Sequence, residues 1–279
     1  MAADRLTLVG TRVSAAVLRL FDRGELRGTV VSAHRAALNL VCAGRLVTCS
    51  LPELGALPNG ITVAGPDDLR SIATTGADVI VDGSSARVWS PVLPPFVETP
   101  SLQAVAQAAS AAAGAAPAGG FGPLLRSLDD EDGDLFRAAA RPALRALLAA
   151  AQRGDRGAAE RAAASLVGLG SGLTPSGDDV LVGFTAALTA ARAVLARPIA
   201  RAAAAAGGRT TLIARTYLDH AARGEYAERV HDLTAAVAAG AEAQVVRGMS
   251  WGATSGADLA LGILLGARAA WMTRETRAA

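Results

Sequence analysis

The chain has 279 residues, of which 51% are hydrophobic and only 4% are aromatic, and its formal net charge is +2. Scattered charges and so few aromatic rings exclude the basic, base-stacking surface of a nucleic-acid-binding protein. The 27 Lys and Arg residues are all arginine, because the sequence contains no lysine. Schiff-base catalysis and the phosphate-binding lysine of a P-loop are therefore excluded as well.

The first residues and the apolar runs show no sign of a targeting or membrane segment. Charged residues at positions 4 and 5 are not followed by the extended apolar stretch of a signal peptide. The longest apolar runs are interrupted by Arg192 and Arg268 before they reach the ~18 residues that span a membrane. We expect a cytoplasmic location and no membrane partner, with Cys42 and Cys49 as buried free thiols.

Short apolar and β-branched runs separated by turn residues predict a β-rich region between residues 28 and 89. Ala43-Gly44 predicts a tight hairpin turn within this region. A short amphipathic segment at about 12–21 is expected to precede it. The predicted strands are 29–32, 37–42, 45–49, 61–63, 79–81 and 87–89.

The chain becomes alanine- and glycine-rich after about residue 100, and helical patterns follow from residue 134. The acidic run 129–132 is expected to be a solvated loop. The predicted helices are 134–152, 155–167, 177–195, 209–223, 225–247 and 256–274.

We therefore predict an α+β fold in which an N-terminal β-rich half packs on a C-terminal multi-helix half. Three parts are expected along the chain. They are a β-rich domain (1–100), a linker with an alanine/glycine-rich helix (101–133) and a helical domain with the glycine-rich motif (134–279).

The frame Ser-Gly-x-Asp-x-x-x-Gly occurs twice in the helical part, once from Ser176 to Gly183 and once from Ser255 to Gly262. In each copy the serine is placed to cap a helix, and the aspartate three residues later is placed to reach back to that cap. A small residue follows four positions after each final glycine, so two helices can approach closely on this face. We predict that the two helix starts lie side by side and share one anion pocket.

The run before the first copy contains Gly168, Gly170 and Gly172, which is more glycine than a helix cap needs. Alternating glycines let successive backbone N–H groups converge, and a helix N-terminus adds partial positive charge, so the run suits a phosphate or a carboxylate. The alternative is a tight structural turn without a ligand. A dinucleotide-binding fingerprint is excluded, because the preceding segment 157–167 is predicted as helix rather than strand.

Asp178 and Asp179 lie beside this run, where two carboxylates would repel an anionic ligand. Either a Mg²⁺ ion lies between the carboxylates and the ligand, or one carboxylate acts as a base. The alternative is that both carboxylates only favour the helix dipole. The three histidines, His34, His220 and His231, are expected at the surface and predict no Ser/His/Asp arrangement.

At these residues the chain resembles the AllH-like family, which is associated with oxamate carbamoyltransferase. The longest and most specific of the matching motifs runs from Gly172 to Gly183. The other matching motifs are Asn39-Leu40, Phe121-Gly-Pro123, Tyr217 to Gly224, and Gly252 to Asp258 with Gly262.

The resemblance implies a subunit that works with companion subunits in allantoin degradation, a part of purine catabolism. A carbamoyl group passes there between oxalurate and phosphate, giving oxamate and carbamoyl phosphate. These are small anions that backbone N–H groups can hold while they stabilise the oxyanion of the reaction. The Ser-x-Arg-Thr phosphate motif of aspartate and ornithine transcarbamoylases is absent, so no mechanism carries over from those enzymes.

The matching motifs place the expected site at the two helix starts. The expected catalytic residues are Asp178, Asp179 and Asp258, and the first two are also the expected ligands of Mg²⁺, the one cofactor that the sequence suggests. The expected anion-binding residues are Gly170, Ser171, Gly172, Thr174, Ser176, Gly177, Thr254, Ser255 and Gly256. The alternative function is a non-catalytic ligand-binding or scaffolding subunit of a multi-protein complex.

Overall fold

The computed structural model describes the backbone of residues 6–129 and 134–278, and the side chains of this part as far as Met272. The chain forms two units. The first ends at Val92 and also contains Ala227–Arg229, whereas the second contains Leu93–Tyr226 and the chain from Val230 onward. The N-terminal region is β-rich and the C-terminal region is helical, so the predicted α+β class is confirmed. The loop predicted at 129–132 lies outside the described residues from position 130 onward.

Seven strands form the sheet of the first unit, and six of them close into a barrel. The strands are β1 (Leu6–Ser14), β2 (Glu25–Ala33), β3 (Ala37–Cys42), β4 (Arg45–Ser50), β5 (Gly60–Ala64), β6 (Asp78–Asp82) and β7 (Arg87–Trp89). Their order is β5-β4-β3-β2-β6-β1-β7, and a further pairing of β5 with β1 closes the ring. Ala43 and Gly44 form the predicted turn between β3 and β4, and both have the positive φ that this tight turn requires.

Strand β1 is a feature that the sequence did not predict. The predicted amphipathic segment at 12–21 is instead the end of β1 followed by a 3₁₀ helix at Ala15–Leu20. The strand is fixed by pairing with three others, β5, β6 and β7, rather than by a clear local pattern of its own. Pairing with distant strands therefore overrides the weak local preference of this segment.

Alternating apolar side chains fill the barrel interior. Leu38, Leu40 and Cys42 of β3 belong to this core, as does Cys49 of β4. Both cysteines are free and buried, as predicted. Burial raises the pKa of the Cys42 thiol to about 11 and also raises the pKa of Cys49, so both thiols stay protonated and unreactive.

Nine helices are found among the described residues. They are α1 (Leu102–Gly114), α2 (Leu135–Arg153), α3 (Arg156–Leu166), α4 (Ser176–Ala190), α5 (Ala196–Ala205), α6 (Leu212–Ala221), α7 (Glu228–Ala239), α8 (Glu242–Met249) and α9 (Ser255–Ala278). Within residues 6–129 and 134–278, no helix combines the length and the apolar character needed to cross a membrane.

Three details of the helical part differ from the sequence predictions. Helix α5 was not predicted, and its Pro198 lies in the first turn, where a missing N–H costs no helical hydrogen bond. The helix predicted at 225–247 is divided into α7 and α8, because Gly240 adopts a left-handed φ of 65° after α7. His220 is buried rather than at the surface, and its Nδ1 lies 2.6 Å from Oε2 of Glu225.

Helix α4 is the central helix of the second unit. Every one of its residues except Thr189 is buried, including both aspartates of its first turn. Its main neighbour is α9, which runs in the same direction, since the carbonyl of Val180 meets Gly262 and the carbonyl of Phe184 meets Gly266 further along. The two helix starts therefore lie at the same end of the pair.

Glycine makes the contact between α4 and α9 possible. A Cβ on Gly183 would lie 2.2 Å from the carbonyl oxygen of Leu259, and a Cβ on Gly262 would lie 2.1 Å from that of Val180. Both distances are far inside van der Waals contact, so neither helix accepts a side chain here unless the helices move apart. The predicted packing of the two helices through their glycine faces is confirmed.

We expect Gly183→Ala to lower the free energy of unfolding by about 3 kcal/mol, because its methyl group would overlap the backbone of α9. Urea unfolding followed by circular dichroism measures the change.

Gly114→Ala is the matched control, since Gly114 ends α1 and a Cβ there would meet nothing within 4 Å. This variant should be neutral or more stable by up to ~1 kcal/mol, as alanine favours helix. Equal destabilisation by both substitutions would contradict the role assigned to the α4–α9 contact.

Candidate functional site

The glycine-rich run forms the loop between α3 and α4. Gly168, Gly170 and Gly172 have φ angles of 78°, 118° and 94°, which residues with a Cβ rarely adopt. Residues 171–173 are exposed, whereas Gly170 and Thr174 are half-buried. Positive-φ residues that alternate with others can turn successive N–H groups toward one side of the chain, an arrangement that suits an anion.

The backbone N–H groups from Gly170 to Thr174 donate no hydrogen bond to any atom of the described structure. The flanking N–H groups are different, because those of Leu169 and Gly177 donate to the carbonyls of Leu166 and Leu169. Five consecutive N–H groups are thus left for solvent or for a ligand. We call residues 170–174 the nest.

Asp178 holds the loop in place beneath the nest. Its Oδ1 accepts a hydrogen bond of 3.1 Å from the backbone N–H of Gly168, and its Oδ2 accepts one from the hydroxyl of Thr210. Burial raises the pKa of Asp178, while these two donors and the charge of Arg209 oppose the rise. Both oxygens are engaged, so the carboxylate acts here as a structural anchor.

Asp179 of α4 and Asp258 of α9 are neighbouring carboxyl groups, with only 6% and 0% of their residue surface exposed. Burial raises the pKa of Asp179 well above its ordinary value, and the charge of Asp258 raises it further. Burial also raises the pKa of Asp258. Ionising both groups is therefore costly unless positive charge is supplied.

Hydroxyl groups from both helix starts hydrogen bond to Asp179. Those of Ser255 and Thr174 lower its pKa against the larger effects of burial and of Asp258. The same two hydroxyls lie 2.9 Å from each other. Thr174 precedes α4 and Ser255 begins α9, so this bond joins the nest directly to the second helix start.

Asp258 has an equivalent set of donors. The hydroxyls of Ser176 and Thr254 and the backbone N–H of Phe121 hydrogen bond to it and oppose the rise in its pKa that burial causes. The bond from the Phe121 N–H to Oδ1 is 2.7 Å long. The loop before Phe121 is thereby attached to the start of α9.

The predicted capping of α4 by Ser176 is wrong, because the helix begins one residue earlier than a cap at Ser176 requires. The N-cap of α4 is Pro175, and no side chain hydrogen bonds to the free N–H groups at this cap. Ser176 instead hydrogen bonds to Asp258, and Ser255 hydrogen bonds to Asp179. The serine of each helix therefore hydrogen bonds to the aspartate of the other helix, an interaction that the sequence of one helix cannot reveal.

One oxygen of each carboxyl in the pair has no partner. Oδ2 of Asp179 and Oδ2 of Asp258 are both buried and accept no hydrogen bond within the described part of the chain. Gly120 lies beside the second oxygen, where a Cβ would come within 2.8 Å of Asp258 Oδ2. A larger residue at position 120 would fill the space next to this unpaired oxygen.

The structure brings most of the predicted site residues to one place. The nest and the two helix starts contain Gly170, Ser171, Gly172, Thr174, Ser176, Asp179, Thr254, Ser255 and Asp258. Gly177 and Gly256 lie there too, but their N–H groups donate to the carbonyls of Leu169 and Trp251. A Cβ on either glycine would overlap a backbone carbonyl oxygen, so both serve close packing.

The sequence did not predict four residues that lie at the site, which are Gly120, Phe121, Thr210 and Tyr217. Burial and then the charge of Asp179 raise the pKa of Tyr217, which places its phenol near Asp179. Phe121 and Tyr217 belong to motifs of the family resemblance, the one sequence signal that points to them. Thr210 carries no such signal.

A metal centre with three or more side-chain ligands is not found among the described residues of the site. In residues 6–129 and 134–278, no three His, Cys, Asp or Glu side chains cluster so that they could hold a metal ion. Both oxygens of Asp178 are engaged by protein donors. The unpaired carboxylate oxygens belong to Asp179 and Asp258.

We expect Asp178→Ala to destabilise the protein by about 1–3 kcal/mol, because the Gly168 N–H and the Thr210 hydroxyl would both lose their acceptor. Asp178→Asn should stay close to the parent protein, since the amide oxygen can accept from Gly168 and the amide nitrogen can donate to the Thr210 hydroxyl. Thermal unfolding of both variants measures the difference. An Asn variant as unstable as the Ala variant would contradict the anchoring role.

Comparison with known proteins gives one match. Residues 166–267 match the family described as oxamate carbamoyltransferase subunit AllH, and the part of the chain before residue 166 lies outside the match. The search of curated proteins and the search of solved structures each give none. The matched segment begins at the end of α3 and ends within α9, so it contains the nest and all three aspartates. The resemblance to the AllH-like family is thereby confirmed for the segment that carries the candidate site.

Proposed function

We propose that the chain is a subunit of a carbamoyltransferase that acts on oxamate or oxalurate and on carbamoyl phosphate or phosphate, with the anion held at the glycine-rich helix start. The family description of residues 166–267 supports the reaction class. The observation that carries the proposal is the run of five unpaired N–H groups from Gly170 to Thr174 beside two helix N-termini.

This arrangement favours a small anion for two reasons. The N–H groups of the nest can bond to several oxygens of one phosphate or carboxylate, and the starts of α4 and α9 each add about half a positive charge. The exposed residues 171–173 leave the nest open to solvent, so a ligand can reach it. A tight structural turn alone would leave these five donors to solvent, and the anion titration described below separates the two alternatives.

The proposed reaction transfers a carbamoyl group between two small anions. A phosphate oxygen attacks the carbamoyl carbon of oxalurate, the bond from that carbon to the oxamate nitrogen breaks, and the nitrogen takes up a proton. The carbonyl oxygen becomes negatively charged on the way, and the N–H groups of the nest can stabilise it. Asp179 accepts a hydrogen bond from Thr174, which belongs to the nest, so its carboxyl lies next to the bound anion in this proposal. We therefore expect turnover to depend on Asp179.

Calorimetry of the isolated protein tests the binding step. We expect phosphate, carbamoyl phosphate, oxamate or oxalurate to bind, and we expect Gly172→Ala to weaken binding at least ~10-fold, about 1.4 kcal/mol. The added Cβ disfavours the φ of 94° and thus turns the N–H groups away from the anion.

Gly44→Ala is the matched control for this loop variant. Gly44 has a φ of 75°, and a Cβ on Gly44 or on Gly172 would meet nothing within 4 Å, so both substitutions carry a similar backbone cost. The control should lose stability but keep parental affinity. No heat signal with any of the four anions would favour a scaffolding subunit instead.

Turnover of the complex reconstituted with its companion subunits tests the catalytic role. We expect Asp179→Asn to lower kcat by at least ~10²-fold, while the adjacent variant Asp178→Asn keeps most of the activity. Full turnover by Asp179→Asn, together with normal anion binding, would make the chain a non-catalytic ligand-binding subunit.

A further inference from the structure

The two unpaired carboxylate oxygens at the helix starts are the least satisfied atoms of the site. Oδ2 of Asp179 and Oδ2 of Asp258 are buried without a donor, although nearby hydroxyls lower the pKa of each carboxyl. A buried polar atom without a partner costs about 1–3 kcal/mol, and more when it is charged. Two such atoms in neighbouring residues point to a positively charged ligand that both of them contact.

The charge balance of the site also points to a positively charged ligand. Two carboxylates carry two negative charges, and the N-termini of α4 and α9 offset about one of them. None of the described groups that set the pKa of Asp179 or Asp258 is basic. When both carboxyls are ionised, about one negative charge therefore remains, and a cation between them would offset it.

The atoms around the pair are of the type that a hard cation selects. The side chains that hydrogen bond to the pair are hydroxyls, those of Thr174 and Ser255 at Asp179 and those of Ser176 and Thr254 at Asp258. Histidine and cysteine are not among these groups, so a cation that prefers nitrogen or sulfur finds no ligands here. Gly120 keeps a side chain away from Asp258 Oδ2.

We propose that Asp179 and Asp258 together bind one divalent, oxygen-preferring cation, Mg²⁺ or Mn²⁺, between the starts of α4 and α9. Such ions are commonly held by one or two carboxylates with water and a substrate phosphate in the remaining positions. The ligands are thus one aspartate from each helix start, rather than the adjacent Asp178 and Asp179 that the sequence suggested. The cation's link to an anion in the nest rests on the proposed function, whereas its binding to the two aspartates does not.

Thermal unfolding of the isolated protein, stripped with a chelator and then titrated with Mg²⁺ or Mn²⁺, tests the site without any activity measurement. We expect the Tm of the parent protein to rise by about 5 °C at saturating cation, since the ion binds only the folded state. Direct binding of Mn²⁺ is followed in parallel by electron paramagnetic resonance, which we expect to report one tightly bound ion per chain.

Three variants assign the ligands. Asp179→Asn and Asp258→Asn should each lose the Mn²⁺ signal and the rise in Tm, whereas Asp178→Asn should keep both. In the presence of the chelator, Asp179→Asn should be as stable as the parent or more so, because it removes one of two buried like charges. This result also shows that the variant folds, so its loss of cation binding is not a loss of structure.

The outcomes separate this inference from the proposed function. Cation binding that depends on Asp179 and Asp258, without any anion binding, supports the inference while the proposed function fails. Anion binding that is equally tight in chelator, with no effect of Mg²⁺ or Mn²⁺ on the Tm, overturns the inference and leaves the proposed function intact. Mn²⁺ binding that persists in both Asn variants, or that is lost in Asp178→Asn, also overturns it.

Discussion

The backbone contact between α4 and α9 is the constraint on which the rest of the helical unit depends. Glycines on both helices face a carbonyl of the partner, so the axes approach as closely as two helices can. This contact also fixes how far one helix can slide along the other. Because the frames begin at equivalent positions, the contact that aligns Gly183 with Leu259 also brings Asp179 and Asp258 together.

Close packing of this kind imposes an electrostatic cost on the fold. Two buried carboxyl groups are neighbours, and burial raises the pKa of each. Helix N-termini and hydroxyl donors offset part of the cost, yet one oxygen in each group stays unpaired. A purely structural helix pair would replace these aspartates with apolar residues at little loss. Asp179 and Asp258 are buried all the same, which supports the role that we propose for the pair.

The sequence predicted the features that repeat or that have a local signature. The duplicated frame indicated two packed helices, because each copy places small residues on one helix face, and Ala43-Gly44 indicated a hairpin, because a tight turn depends on adjacent residues. Features that depend on distant partners and have no such repeat or signature were missed. Strand β1 is defined by its pairing with three strands, and the bonds between each serine and the opposite aspartate exist only after α4 and α9 have packed.

The two copies of the frame differ at their third position, and this difference explains why only the first copy anchors its preceding loop through that position. The first copy has Asp178 where the second has Ala257. Asp178 bonds to Gly168 and thereby holds a loop of left-handed glycines over the start of α4. Alanine at the equivalent position of α9 cannot hold such a loop, and there the N–H of Phe121 bonds directly to Asp258. The first helix start thus holds the loop that precedes it through Asp178, whereas the second is attached through Asp258 to the loop before Phe121.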